Sequence, residues 1–367
     1  MYYAECESVL NNHHFLPLVG IGREKATTDI FHPGPLVLFD GFNHDDSSYR
    51  QLILHIIEKR KGKNLKTSVI YEYSFETGIG EIDVFEYMNQ VKGAGLDDSD
   101  VTFILNKCAK DSMMHLTSKY RFYFLNHFAL KLYSKFISGN IKLARKRLVD
   151  RKIGINVLVA QLHWKKTRLH TLYSLYKKNL LQSAITGILT LKEHIENLEH
   201  EIPDKDFWQW LYAHLGPVDD VKVYPNLGFL ISPGFPYSID TYNNSRVTHI
   251  CETLCPEMPG PKEFLTEKTY KPIINLSPFV LQGHQHHLEY LQSEGYQVFD
   301  RYIDISYDKE PFKLDKIEHS TEATKQLLIA TINYPNEIEM ITQHNYRRLM
   351  DIGRQEYTTL RKFLGEK

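Results

Sequence analysis

Two adjacent charged residues, Glu267 and Lys268, follow Thr266 in the segment FLTEKTYKP. Thr266 is a natural N-cap, because its hydroxyl accepts a hydrogen bond from a backbone N–H two or three residues further on. Glu267 suits the first turn of the predicted helix, but Lys268 places a cation at the positive end of the helix dipole. A carboxylate that accepts from ribose hydroxyls, beside an ammonium that neutralises phosphate, suits a nucleotide. The alternative interpretation is a capped helix with a surface ion pair, which contributes little.

A second cationic segment, LHWKKTRLHT, lies between a predicted strand and the helix that follows it. Lys165, Lys166 and Arg168 stand at the start of this helix, where cations oppose the helix dipole. A bound anion such as a diphosphate removes the conflict, because helix N–H groups and cationic side chains both bind it. Two interpretations stay open here, a diphosphate site and side chains that point into solvent.

Other short motifs exclude some kinds of nucleotide-binding and metal-binding site. The chain contains neither G-x-G-x-x-G nor G-x-x-x-x-G-K-[ST], so neither a dinucleotide-binding fingerprint nor a P-loop is indicated. Gly283 ends a predicted apolar strand and is followed by His284, His286 and His287. These histidines could contact a bound ligand, but we interpret them as the solvated start of a helix. A metal site needs spacing and partners that are not evident.

Strand and helix patterns alternate along the chain and predict an α/β fold. The predicted strands are 34–40, 68–73, 101–106, 121–128, 155–162, 248–254, 278–283 and 296–300. The predicted helices are 50–58, 83–91, 167–181, 188–201, 266–275 (broken or kinked at Pro272) and 286–295 (capped by Gly295), before a mainly helical end.

The chain is long enough for two domains of ordinary size. The charge run KLARKRLVDRK (142–152) marks the predicted junction. We therefore predict an α/β domain over 1–150, a second α/β domain over 151–335 and a helical C-terminal tail over 336–367. The two domains are expected to be Rossmann-like and to face each other, with ligands at the carboxyl ends of their strands.

Composition excludes several classes of protein. Hydrophobic residues make up 42% and charged residues 24%, which is normal for a soluble globular protein. A formal net charge of -1 argues against nonspecific nucleic-acid binding by the whole chain, although a local basic groove is allowed. The first residues, MYYAECESVLNNHH, lack the apolar core of a signal peptide, and no stretch approaches the ~20 apolar residues of a membrane span. We predict a cytoplasmic location.

The run HICETL…EFLTEKTYKPIINLSPFVLQGHQHHLEYLQSEGYQVFDRYIDISYD carries a family pattern: Thr-Glu-Lys, a helix, a Pro-led strand ending in Gly, then Phe and Asp. In this it resembles the donor-binding half of fucosyltransferase-like glycosyltransferases of the GT-B architecture, and more closely their relatives in phages and marine microbes. The upstream run VLVAQLHWKKTRLHTLYSLYKKNLL matches these relatives too. The resemblance covers roughly residues 155–350.

The resemblance implies roles for individual residues. Glu267 would bind the donor ribose, Lys268 and Arg168 the phosphates, and Glu252 the donor. Family members often have Tyr three residues before the Glu, whereas Phe264 stands there in this chain and removes any hydroxyl contact. The donor site predicted from both arguments also includes Lys165, Thr266 and Gly283.

An enzyme of this kind needs no metal, because cationic side chains and a helix dipole stabilise the departing nucleoside diphosphate. An inverting transfer also needs a general base, expected from the first domain. Glu76 in the loop SFETGIG is the favoured candidate, and Asp45 and Asp46 in FNHDDSS are the others.

The leading hypothesis is an inverting, metal-independent glycosyltransferase that uses a nucleoside-diphosphate sugar and no other cofactor. The acceptor would be a glycan or a hydroxymethylated base of phage DNA, which an enzyme reaches by base flipping in a duplex. The alternative hypothesis is a non-catalytic nucleotide- or nucleic-acid-binding protein on the same fold.

Overall fold

In the computed structural model, the chain is divided into two α/β units. Unit 1 comprises Met1–Asn140 with Ile352–Lys367, and unit 2 comprises Ile141–Asp351. The described residues are 2–4, 26–27, 36–41, 47–73, 81–137, 139, 143–158, 166–181, 184–186, 199–215, 239–252, 264–311 and 314–363.

Unit 1 is built, in its described part, on six parallel strands in the order β2-β1-β3-β4-β5-β6. All six side chains of Val101–Asn106 are buried, as expected for a parallel strand covered on both faces. The strands are β1 (Tyr2–Ala4), β2 (Ala26–Thr27), β3 (Leu36–Gly41), β4 (Thr67–Tyr73), β5 (Val101–Asn106) and β6 (Arg121–Leu125). The α-helices described in it are α1 (Ser47–Lys61), α2 (Glu81–Ala94), α3 (Lys110–Met113) and α4 (His127–Ile137).

Unit 2 contains, among the described residues, four parallel strands in the order β10-β9-β7-β8. The strands are β7 (Ile153–Leu158), β8 (Ala184–Thr186), β9 (Ser245–Cys251) and β10 (Phe279–Gln282). Its described α-helices are α5 (Lys166–Lys177), α6 (Lys205–Leu215), α7 (Ile239–Asn244), α8 (Glu267–Ile274), α9 (His287–Ser293), α10 (Leu314–Asn333) and α11 (Pro335–Phe363), which continues into unit 1. The predicted α/β class, with two Rossmann-like units and a helical C-terminal region, is confirmed.

Three predicted elements differ from the observed ones. The predicted strand 121–128 ends at Leu125, and α4 begins two residues later. The predicted strand 296–300 is wrong, because the Asn345 side chain binds both the N–H and the C=O of Gln297 at 2.8 Å in place of a neighbouring strand. Helix α8 continues to Ile274 and is not broken at Pro272. Residues 188–198 lie outside the described residues.

The segment 143–152, predicted as the domain junction, is bound into unit 2. The Ala144 N–H donates to Asn275 Oδ1 at 3.0 Å. The buried Arg151 guanidinium donates to three backbone carbonyls of the same unit. The boundary between the units therefore lies at 140/141, ahead of the predicted 150/151.

The predicted tail 336–367 is divided between the units instead of standing apart. In unit 2, α11 supplies Asn345, which holds Gln297. In unit 1, Glu356 accepts hydrogen bonds from the Tyr123 hydroxyl at 3.3 Å and the Asn126 N–H at 3.4 Å. The donor-side and acceptor-side roles of the two units stay predictions.

A buried polar network joins the sheet of unit 2 to two helices. Gln282 at the end of β10 donates to Thr171 Oγ1 of α5 at 2.7 Å and accepts from Ser320 Oγ of α10 at 2.9 Å. His249 of β9 lies 3.3 Å from Gln282 Oε1 and 2.7 Å from Thr324 Oγ1. Each contact joins two polar groups that are hydrogen-bonded to each other. The network therefore fixes the positions of α5 and α10 on the sheet.

His249 should make unit 2 sensitive to acid. Burial lowers the pKa of His249 to about 4, although its hydrogen bond to Gln282 raises it. Between an unfolded pKa of about 6.5 and the folded value, only the unfolded chain takes up this proton. The free energy of unfolding should therefore fall as the pH falls through this window, by up to ~1.4 kcal/mol per pH unit.

Urea unfolding between pH 7.5 and 4.5 checks this prediction, with His249→Gln as the variant that cannot titrate. The variant should be less stable at pH 7.5 and should show a shallower loss of stability on acidification. Equal slopes for the two proteins would contradict the assignment.

Candidate functional site

The strand order of unit 2 reverses between β7 and β9. From β7 the chain passes to β8 on one side, and later strands β9 and β10 lie on the other side. Open parallel sheets bind ligands outside the carboxyl ends of their strands at such a reversal. Helix α5 follows β7 and α8 follows β9, so both predicted anion-binding segments leave the sheet at this point.

Alternate side chains of β9 and the residue after it point to opposite faces of the sheet, as in any strand. His249 bonds Thr324 of α10, and Cys251 packs in the apolar cluster that contains Leu169 of α5. Glu252 turns the other way and bonds the first turn of α8. Helices α5 and α8 therefore approach the same edge from opposite faces.

The Glu252 carboxylate is fully buried and holds the start of α8. Oε1 accepts from the Thr266 N–H at 3.1 Å and from Thr269 Oγ1 at 2.6 Å. Oε2 accepts from Thr266 Oγ1 at 2.6 Å. This carboxylate positions the helix start, and the direct donor contact implied for it by the family resemblance stays a prediction.

Thr266 is the N-cap of α8, as predicted. Its hydroxyl oxygen accepts from the Lys268 N–H at 3.3 Å while donating to Glu252. Glu267 and Lys268 then form an ion pair with Nζ to Oε1 at 3.1 Å. The side chain of Lys268 is 12% exposed and that of Glu267 26% exposed, so the pair is partly buried at the edge of the sheet.

Glu267 is held in its charged form by neighbouring cations. Burial by itself would raise the pKa of Glu267, but the Lys268 and Lys271 ammonium groups outweigh it, and the pKa lies below its usual value. The side chain is therefore a carboxylate at neutral pH, which accepts hydrogen bonds from hydroxyl groups.

The start of α5 is less cationic than the sequence indicates. Lys166 forms an exposed ion pair with Glu201, so the structure gives this lysine a surface partner. Arg168 is only 4% exposed and lies in the first turn of α5. Burial lowers the pKa of His170 in the next turn, as does Lys166, although Glu201 raises it. Lys165 lies outside the described residues.

Gly283 follows β10 and occupies a position with no room for a side chain. A Cβ there would collide with the His287 imidazole and come within 3.3 Å of Glu252 Cβ. His287 is fully buried, so the prediction of a solvated histidine cluster is wrong for it. His284 and His286 are partly exposed, and His286 bonds Glu289 at 2.7 Å.

The remaining candidates fall into two groups. Phe264 lies two residues before Thr266, and its side chain is buried, with 4% of its surface exposed. Glu76, Asp45 and Asp46 follow β4 and β3 in the sequence and lie outside the described residues. Within the described part of the chain, no three His, Cys, Asp or Glu side chains are grouped so as to hold a metal ion.

Two residues of the site were missed in the sequence. Thr269 lies three residues after Thr266 and bonds the same carboxylate. Lys271 lies four residues after Glu267 and lowers its pKa. Both spacings place side chains on one helical face, so the pattern was present, but the buried partner Glu252 was not visible from it.

Removing one charged oxygen of Glu252 should loosen the start of α8. Glu252→Gln replaces an acceptor with an amide group that faces hydroxyl donors, and we expect a loss of about 1–3 kcal/mol in the free energy of unfolding. Chemical denaturation measures the loss. The control is Glu318→Gln, which removes an exposed ion pair with Lys178 and should cost about 0.5 kcal/mol or less.

The fit around Gly283 gives a further prediction. Gly283→Ala should destabilise the protein by about 1–3 kcal/mol, because its methyl group meets His287 and the Glu252 side chain. Gly93→Ala is the matched control, since a Cβ at Gly93 in α2 meets nothing within 4 Å. The control should stabilise the helix by about 0.5–1 kcal/mol, and a stable Gly283→Ala would disprove the close packing.

Comparisons with known proteins give one distant likeness. No protein-family model and no curated protein sequence matches the chain. Among solved structures, the crystal structure of an α,α-trehalose-phosphate synthase (UDP-forming) from Burkholderia vietnamiensis matches with 8% identity and a TM-score of 0.40. The match covers 96% of this chain and 82% of that chain. In the described part of this chain, no helix has the length and apolar character needed to cross a bilayer.

Proposed function

We propose that unit 2 binds a nucleoside-diphosphate sugar at the start of α8 and that the protein transfers the sugar to an acceptor hydroxyl with inversion. The observation that carries the proposal is the Glu267–Lys268 pair at the carboxyl edge of a parallel sheet. The pair stands beside the reversal of strand order, where such sheets bind nucleotides.

Two further features support the proposal. The buried Glu252 fixes Thr266 and hence the first turn of α8, so the charged pair is held before a ligand arrives. Preorganised charges of this kind need no rearrangement when they stabilise a ligand. The sequence around Thr266 also resembles the donor-binding half of fucosyltransferase-like enzymes, whose GT-B architecture contains two Rossmann-like domains.

In the proposed reaction, the Glu267 carboxylate accepts hydrogen bonds from ribose hydroxyls. Lys268 and Arg168 bind the diphosphate, and the N–H groups at the start of α8 add to the positive field. As the bond from the sugar to the diphosphate breaks, this field stabilises the negative charge that builds on the leaving group. The base that takes the acceptor proton is proposed among Glu76, Asp45 and Asp46.

Calorimetric titration with ADP, CDP, GDP and UDP tests the donor site. At least one nucleoside diphosphate should bind, and Lys268→Ala should weaken it about 10-fold or more, because a charge-assisted contact is lost. Glu267→Gln should weaken the nucleoside as well as the diphosphate form. Lys178→Ala, which removes a surface ion pair at the other end of α5, is the control and should bind like the wild type.

The outcomes separate the hypotheses. If none of the four nucleotides binds the wild-type protein, the donor site is wrong. If one binds, incubation with the matching nucleotide sugars should release that nucleoside diphosphate, and release should fall with Lys268→Ala. Binding without release from any donor would favour a non-catalytic nucleotide-binding protein.

A further inference from the structure

His287 is a buried histidine whose ring nitrogens have no hydrogen-bond partner among the described residues. The side chain is fully buried, and neither Nδ1 nor Nε2 is paired. Its ring lies against Gly283 at the carboxyl end of β10. Gly283 in turn adjoins Glu252, which holds Thr266 and the start of α8. The imidazole therefore belongs to the same edge of the sheet as the Glu267–Lys268 pair.

An unpaired imidazole in this position costs free energy unless it binds a partner. A neutral imidazole carries one N–H donor and one acceptor nitrogen, and leaving either unpaired in the interior costs about 1–3 kcal/mol. By contrast, His249, which is buried in β9, has both ring nitrogens near polar partners. Buried orphan groups in folded proteins commonly bind a ligand, an ion or an ordered water.

The charges around His287 favour an anion as that partner. Burial, together with the nearby His284 and Lys316, lowers the pKa of His287 to about 3, so the ring is neutral at pH 7. Lys316 is 1% exposed and donates to the carbonyls of Asp308 and Glu310 at 3.4 and 3.3 Å.

The two carboxylates near this ring are engaged with other groups. Glu252 accepts from Thr266 and Thr269. The Asp308 carboxylate accepts from the Leu288 and Glu289 N–H groups at 3.1–3.2 Å. Neither carboxylate pairs with the imidazole, and the buried Lys316 ammonium favours an anion with acceptor oxygens as its partner.

We propose that His287 is a binding residue for the diphosphate of the donor, to which its ring N–H donates once the partly exposed His284 side chain moves aside. The His284 ring centroid lies 6.0 Å from that of His287, and the His284 side chain is partly exposed. The inference rests on the proposed function and adds a residue that the cationic segments did not indicate. A neutral donor at this position keeps its N–H throughout the physiological pH range.

Paired titrations test the proposal on the full-length protein. The nucleoside diphosphate that binds best among ADP, CDP, GDP and UDP is compared with its nucleoside, in wild type, His287→Phe, His287→Gln and His249→Gln. His287→Phe should weaken the diphosphate about 10-fold or more and leave the nucleoside unchanged, because only the phosphate contact is lost. His287→Gln should recover part of the affinity through its amide N–H. His249→Gln should leave the ratio of the two affinities unchanged.

Nitrogen-15 spectra of histidine-labelled wild type provide a second measurement that does not depend on variants. The ring-nitrogen signals of His287 should shift with the nucleoside diphosphate and not with the nucleoside. A His287→Phe protein that binds the diphosphate like wild type, or unchanged His287 signals at saturation, would overturn the proposal. Failure of the wild type to bind any of the four nucleotides would instead reject the proposed function.

Discussion

The candidate site depends on one buried carboxylate. The Glu252 side chain, directly after β9, points toward α8 and accepts three hydrogen bonds from Thr266 and Thr269. A buried carboxylate is costly unless its oxygens are bonded, so the chain around Thr266 is constrained to stay where it is. This constraint fixes the first turn of α8 and with it the direction in which the Glu267–Lys268 pair is presented.

The opposite face of the sheet is fixed by a second polar arrangement on the same two strands, β9 and β10. Gln282 and His249 bond α5 and α10 through hydroxyl groups in the interior. Hydrogen bonds are directional, so they specify one orientation of a helix on the sheet, whereas apolar packing tolerates several orientations. The edge that carries the site is thus held from both faces by buried polar groups, and Gly283 permits the close approach of the β10 end to Glu252 and His287.

Local signals predicted local structure well. The sequence predicted both the Thr266 cap of α8 and the glycine cap after α9. That glycine, Gly295, has the left-handed φ of 87° expected there. The segment 296–300 has the composition of a strand but is held by Asn345, which lies 48 residues further on. Its strand-like pattern reflects burial of Val298 and Phe299, which strands and irregular core segments share.

The sequence by itself determined the α/β class, the Thr266 cap and the charged pair at the start of α8, because these depend on neighbours a few residues apart. Only the tertiary structure decided that Glu252 supports the pair across 14 residues, that Lys166 is bound to Glu201, and that His287 is buried. Burial and pairing are properties of residues brought together by the sheet. In the sequence alone, a buried histidine or lysine therefore cannot be told from one on the surface.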